Sequence, residues 1–416
     1  MQKLIIEGNG PLRGKISVSG SKNAALPIMA SSLLADGEHT ISGVPQLRDI
    51  TTMSRLLEHI GSKVKGSGEI SISTGNINLG DAPYDLVKTM RASVLVMGPL
   101  VGRMRYAKVS LPGGCAIGAR PIDQHLKALE AMGARIKLSE GYVEISAKNL
   151  HGTDFSFDLV TVTGTENVMM AAVLAKGCTV LRNAAREPEI VDLAAHLSSM
   201  GAEISGAGTD CITIHGVSEL RPHPHKIIPD RIEAGTLLMA AGITAGDLEI
   251  QNFPSSMLGT VVTKLRSAGM DIEIHNDTAR ARSAAPIKSV DLTTSPYPGF
   301  PTDLQAQFMA MMCLGDNVSI ISETIFENRF MHVPELSRMG ADITVDGGKA
   351  IVRGVSRLKG APVMATDLRA SASLVLAALA SDGITEIDRI YHLDRGYEHI
   401  EKKLRAVGAK ISRTEE

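Results

Sequence analysis

The sequence predicts an α/β chain of two similar domains, each built from three copies of one repeated unit, and three observations predict it. Six segments share a helix end, a glycine and a short strand: LLEHIGSKV, ALEAMGARI, HLSSMGAEI, KLRSAGMDI, ELSRMGADI and KLRAVGAKI. Their glycines, Gly61, Gly133, Gly201, Gly269, Gly340 and Gly408, follow one another at 72, 68, 68, 71 and 68 residues, a register that chance does not hold. An Ala/Leu/Met-rich stretch precedes each segment. Finally, the proline-rich stretch RPHPHKIIPD, Arg221 to Asp230, falls after the third copy and divides the six into three and three.

Within a unit the elements follow a fixed order. A polar strand-to-helix junction leads into a stretch that is apolar on every side and therefore reads as a buried helix: AALPIMASSLLADG, ASVLVMGPLVG, NVMMAAVLAKG, GTLLMAAGITAG, QFMAMMCLG and SASLVLAALASDG. Short strands and an amphipathic helix come next. That helix stops at the recurring glycine, because a chain leaving a helix through the left-handed region and turning at once into a strand favours a residue without Cβ. The sixth copy ends early, at KISRTEE, while the chain start looks like its missing piece. Gly8 and Gly14 in IIEGNGPLRG match Gly354 and Gly360 in IVRGVSRLKG. The N-terminal strand is thus expected to complete the last unit, giving domains of residues 22–229 and of residues 1–21 with 230–416. His223 and His225 alternate with prolines in the crossover; a metal pair there is the alternative to the exposed linker that we read.

Composition narrows the function. With 416 residues and 44% hydrophobic content, the chain exceeds what one core usually holds. A net charge of −2, 3% aromatics and no Trp argue against a nucleic-acid partner. The start lacks a secretory pattern, and no apolar run approaches the ~18 residues of a membrane span, so a cytoplasmic protein without membrane insertion is expected. Cys115, Cys178, Cys211 and Cys313 lie far apart with no CxxC pair. Free thiols, and neither disulfides nor a metal site, are expected.

The junctions before the buried helices are SGSKNAAL, KTMRASVL, TGTENVMM, PDRIEAGT, PTDLQAQF and TDLRASAS. If they converge, helix N-termini together with Lys22, Arg91, Arg231 and Arg369 would suit small anions such as phosphates or carboxylates. The alternative is that a repeat merely duplicates its caps. Departures from the repeat point more sharply at function. From Val109 to Gly133 the gap is 24 residues, against 21 from Val180 to Gly201. The extra length is glycine-rich, with Gly113, Gly114 and Gly118 around Cys115, and Arg120 five residues on to stabilise a thiolate or bind an anion. A reactive Cys115 is the reading we adopt over a small core residue. Arg395, in YHLDRGYEHIEKKL, is either functional or a surface arginine. Asp303, opening a helix after two prolines, is either an N-cap or a general base; both readings stand.

Five segments together, SKNAALP (21–27), PGGCAIGARP (112–121), PGFPTD (298–303), FENRFMHVPEL (326–336) and DRGYEHIEKKLRAVGA (394–409), resemble the UDP-N-acetylglucosamine 1-carboxyvinyltransferases over essentially the whole chain. The resemblance implies two inside-out α/β barrel domains, each with threefold internal symmetry, and substrates between them. It implies transfer of the enolpyruvyl group of phosphoenolpyruvate to the 3-hydroxyl of UDP-N-acetylglucosamine, with release of phosphate, at the entry to peptidoglycan synthesis. No metal or organic cofactor is implied, and no protein partner is specified. On the matching positions Cys115 would protonate the methylene carbon, form an adduct, and be the residue alkylated by fosfomycin. Asp303 would deprotonate the sugar hydroxyl. Lys22, Asn23, Arg91, Arg120 and Arg395 would hold phosphoenolpyruvate, while Arg329 and Arg369 would shape the site. Asn23, Arg91, Arg120, Pro121, Asp123, Val162, Gly164, Asp303 and Ile325 would contact the sugar nucleotide. The sister 3-phosphoshikimate 1-carboxyvinyltransferases lack the cysteine loop, and a non-catalytic paralogue would be expected to have lost the acid or the base.

Overall fold

The computed structural model describes residues 2–78, 80–111, 122–283 and 286–415. Backbone contacts divide these into two units, one of residues 20–111 with 122–228 and one of residues 2–19 with 229–415. Each unit has its own apolar core.

In the first unit the core contains helices Lys22–Ser31 and Val162–Ala172 and the 3-10 turn Arg91–Val96, which runs into helix Met97–Met104. Helices that are apolar all round must be covered all round. Accordingly, only the first two residues of Lys22–Ser31 and of Val162–Ala172 escape full burial. Contact between the helices is close: a Cβ on Gly98 would lie 2.1 Å from the Asn167 carbonyl oxygen, so glycine is required there. Three four-stranded sheets contribute alternate side chains to this core, for example Ile70 and Ile72 of strand Glu69–Ser73. In each sheet a short strand pairs in parallel with the next, and two antiparallel pairings follow. One runs Asp81–Ala82, Tyr106–Ser110, Tyr142–Ser146, Arg135–Ser139, and the others repeat that order. Amphipathic helices Arg48–Ile60, Asp123–Ala131 and Pro188–Ser199 are followed by Gly61, Gly133 and Gly201 at φ of 114°, 90° and 109°.

The second unit uses the same strand order in its three four-stranded sheets. Its interior elements are helix Arg231–Ile243, the turn Thr302–Leu304 leading into helix Gln305–Met312, and helix Leu368–Leu379. Strand Gln2–Glu7 lies between Ile384–Asp388 and Lys410–Glu415, antiparallel to both, with Leu4 opposite Ile387 and Arg413. Gly269, Gly340 and Gly408 have φ of 94°, 90° and 103°.

Two expectations change. Among the described residues no sheet closes on itself, so neither unit holds a closed barrel; each has three open four-stranded sheets against a helical core, and the second adds a two-stranded sheet of Leu358–Lys359 with Ser381–Asp382. The proline-rich stretch is also more than an exposed linker. His225–Lys226 pairs in parallel with Ile41–Ser42, Ile227 is buried, and His225 Nε2 lies 3.0 Å from Asp192 Oδ1. Flanking prolines are compatible with an edge strand, which needs to pair on one side only. Among the described residues, no helix is long and apolar enough to cross a membrane, and no group of three His, Cys, Asp or Glu is placed to hold a metal.

Candidate active site

In the second unit the turn Thr302–Leu304, entered through Pro301, presents Asp303. Two guanidiniums divide its carboxylate: Oδ1 accepts from Arg329 Nη2 at 2.6 Å and Oδ2 from Arg369 Nη2 at 2.9 Å. The arginine side chains are 4% and 7% exposed against 28% for Asp303, so the carboxylate is the open end of a buried ionic cluster. Pro301 occupies the cap position and the carboxylate faces two arginines, which sets aside the reading of Asp303 as a helix cap. Burial by itself depresses the Arg369 guanidinium. The charges of Asp303, Tyr397 and Asp230 outweigh it and hold the group above its ordinary value. Arg369 is placed by the N-cap Asp367, whose Oδ1 accepts from Arg369 N at 2.8 Å and Ala370 N at 3.1 Å.

A buried polar cluster supports this turn. Gln307 Nε2 donates to the Asp303 carbonyl at 3.0 Å and to the Tyr397 hydroxyl at 2.9 Å, and that hydroxyl lies 2.9 Å from Thr236 Oγ1. Burial pushes the Tyr397 phenol up, and its ring centroid lies 5.8 Å from the Arg369 guanidinium carbon. Arg395 ends the 3-10 turn Ile390–Arg395 and is half-buried, as is Ile325, whose N–H donates to Glu323 Oε1 at 2.8 Å. Arg231 is buried with its guanidinium carbon 5.7 Å from the Tyr297 ring centroid.

The first unit places its candidates at helix starts. Lys22 and Asn23 open helix Lys22–Ser31 behind the cap Ser21, and Lys22 Nζ lies 3.4 Å from Asp49 Oδ2. Arg91 opens the 3-10 turn, Asp123 opens helix Asp123–Ala131, and Val162 opens helix Val162–Ala172. Gly164 donates its N–H to the cap Thr161 Oγ1 at 3.2 Å. Next to them is buried His125. Its Nδ1 is 2.9 Å from Asn167 Nδ2 and its Nε2 3.3 Å from Thr163 Oγ1. Burial, helped by the Arg91 charge and opposed by Asp123, lowers His125 to about 4. Deeper in the helix, burial and then the charges of Glu189 and Glu187 push Glu166 well above the usual carboxylate range.

The structure thus brings Asp303, Arg329 and Arg369 into direct contact within one unit, and sets Arg91 beside the Asp123–Val162–Gly164 group in the other through His125. Cys115, Arg120 and Pro121 lie outside the described residues.

Comparison with known proteins decides what such a set belongs to. The family model described as EPSP synthase (3-phosphoshikimate 1-carboxyvinyltransferase) matches residues 6–404. Proteins named UDP-N-acetylglucosamine 1-carboxyvinyltransferase from Geotalea daltonii and Myxococcus xanthus are 60% and 56% identical, with 100% and 99% of this chain and of each relative aligned. The chain belongs to the UDP-N-acetylglucosamine 1-carboxyvinyltransferase family. Among solved structures, the enolpyruvyl transferase NikO from Streptomyces tendae superposes on this 1-carboxyvinyltransferase with a TM-score of 0.90 at 25% identity, covering 99% of both chains. EPSP synthase from Acinetobacter baumannii shares the fold, with a TM-score of 0.78 at 18% identity over 100% of both chains.

Several polar groups beside these candidates do not stand out in the sequence: Asp49, His125, Asn167, Thr236, Gln307 and Tyr397. A signal existed. Asn167 and Gln307 are amides at the head of the apolar stretches NVMMAAVLAKG and QFMAMMCLG, where a side chain drawn into the core with the helix must find a buried partner.

Proposed function

We propose that this chain transfers the enolpyruvyl group of phosphoenolpyruvate to the 3-hydroxyl of UDP-N-acetylglucosamine and releases phosphate, the first committed step of peptidoglycan synthesis. Identity of 60% over the full length to a UDP-N-acetylglucosamine 1-carboxyvinyltransferase carries the reading. In it Asp303 takes the proton of the sugar hydroxyl as that oxygen attacks the central enol carbon, and Cys115 protonates the methylene carbon. A tetrahedral adduct results. Loss of phosphate and of one proton of the new methyl group then restores the double bond on the sugar. Lys22, Asn23, Arg91, Arg120 and Arg395 hold the trianion, and Asn23, Arg91, Arg120, Pro121, Asp123, Val162, Gly164, Asp303 and Ile325 contact the sugar nucleotide.

The Asp303 cluster suits a base that must be ionised before it acts. Two guanidiniums hold the carboxylate at the open end of the cluster, where a substrate hydroxyl can reach it. The finer architecture, two inside-out domains of three copies each, is part of the proposal, supported by the one strand order shared by six sheets. A cytoplasmic site of action follows from the water-soluble substrates.

Incubation with phosphoenolpyruvate and UDP-N-acetylglucosamine should release phosphate only when the sugar nucleotide is present, and fosfomycin should abolish release in the wild type. Absence of sugar-dependent phosphate release sinks the reaction; a fully active Cys115→Ala variant sinks the assigned acid alone. Because the matching family model carries the name of the shikimate enzyme, 3-phosphoshikimate should be offered in parallel, and no turnover is expected.

A further inference from the structure

Asn167 is a fully buried amide two turns into helix Val162–Ala172. Both ends of its side chain meet backbone groups whose polarity is fixed. Gly98 N–H donates to Oδ1 at 2.7 Å, and Nδ2 donates to the Val94 carbonyl at 3.0 Å. These two bonds settle which end of the amide is which. Nδ2 also reaches His125 Nδ1 at 2.9 Å. An amide nitrogen only donates, so Nδ1 accepts, and the proton of the neutral ring sits on Nε2. Nε2 in turn faces Thr163 Oγ1 at 3.3 Å. Thr163 is half-buried at the second position of the helix; with an oxygen lone pair turned to the ring N–H, its own hydroxyl proton points elsewhere.

We infer that Asn167 and His125 form a positioning relay that sets the Thr163 hydroxyl as a hydrogen-bond donor to a diphosphate oxygen of the sugar nucleotide. The inference rests on the proposed binding of that nucleotide at Val162 and Gly164. A diphosphate oxygen only accepts, and the opening turn of an 11-residue helix favours negative charge, so both partners of the contact are matched in sign. A hydroxyl that rotates freely presents lone pair or proton with similar ease. One held by a ring N–H offers its proton outward, which lowers the ordering cost of binding. Both groups behind it are buried, so His125 and Asn167 act through Thr163 and not on the ligand themselves.

Binding of UDP and of uridine, measured by calorimetry, tests the contact. Thr163→Val should weaken UDP about tenfold and leave uridine unchanged. Unchanged UDP affinity overturns the inference, and an equal loss for uridine overturns the diphosphate assignment. Nitrogen-15 NMR of the wild type, which needs no variant to fold, should find the His125 proton on Nε2; a proton on Nδ1 defeats the relay. Asn167→Ser should weaken UDP binding in the wild-type background but add nothing to Thr163→Val, whereas additive losses would assign Asn167 to scaffolding alone. None of these readouts requires turnover. A chain that shows them yet releases no sugar-dependent phosphate would overturn the proposed reaction and keep the relay.

Discussion

The two units begin their interior helices in opposite ways. In the first, Lys22, Asn23, Arg91, Val162 and Thr163 stand part-exposed before each helix sinks into the core. In the second, Arg231 and Arg369 are buried from the outset, and Asp303 is braced by two buried arginines. One strand order therefore supports two electrostatic regimes. Behind the start of helix Val162–Ala172 the first unit hides a neutral chain of amide, imidazole and hydroxyl, while an ion pair, Lys22 with Asp49, stands at the start of helix Lys22–Ser31. The second buries full charges, tolerable only while each keeps its counter-ion. Polar groups of the second unit should thus be far more entangled with stability than those of the first.

The sharpest test is Asp303→Asn. It leaves two buried guanidiniums facing a neutral amide, so a loss of about 3–5 kcal/mol in urea unfolding is expected, together with a fall of about 10²–10⁴ in the phosphate-release rate. A stable but inactive variant would break the contrast between the units. Acid offers the next largest effect. His125 and His196 in the first unit are lowered by burial to about 4 and about 3, and His332 in the second to about 4. Their folded values lie below the ordinary 6.5. Between that value and each folded one the unfolded chain binds more protons, so stability is intact above pH 6.5 and falls as pH drops, by on the order of 3 kcal/mol per histidine at the limit. His39 in the first unit and His392 in the second are lowered too, while one raised carboxyl in each unit, Glu166 and Glu233, works the other way and gains stability as pH falls. Hydrogen exchange of core amides at pH 7 and pH 5 should show the first unit, with three lowered histidines against two, weakening more; equal losses would refute the difference.

Gly98→Ala comes third. Its Cβ would fall 2.1 Å from a backbone oxygen, and the forced shift should cost about 1–3 kcal/mol in thermal or urea unfolding. The smallest effect is expected at Arg280→Ala. Arg280 holds Asp247 through two hydrogen bonds of 2.9 and 2.8 Å, but the side chains are 51% and 36% exposed. Its removal should leave the unfolding midpoint nearly unchanged, because exposed ion pairs are screened by solvent. A large loss there would mean that ion pairs in the second unit matter irrespective of burial.

Features fixed by local backbone physics were legible in the sequence. The six glycines after the amphipathic helices all have φ between 90° and 114°, where other residues strain. The interior helices announced themselves because nothing on their surfaces could face water. Asp303 was visible as a carboxylate near a helix start, but whether it capped a helix or met arginines depended on Arg329 and Arg369, 26 and 66 residues away. Distance along the chain hid the Asn167–His125 contact in the same way. His225 misled because neighbouring prolines suggest exposure, whereas its pairing is decided by the distant strand Glu38–Ser42. The glycine-rich segment around Cys115 falls outside the described residues.

Strand Gln2–Glu7 carries a consequence for how the chain is made. Leu4 is synthesised 383 residues before Ile387, the residue it pairs with, and the strand's other partner Lys410–Glu415 comes later still. The unit of residues 20–111 with 122–228 can form its core while the ribosome is still extending the chain, whereas this strand must wait, unpaired, until its partner strands emerge. Its alternating burial, with Leu4 and Ile6 turned inward, leaves those two apolar side chains without cover through that interval. The second unit therefore completes its core later than the first can.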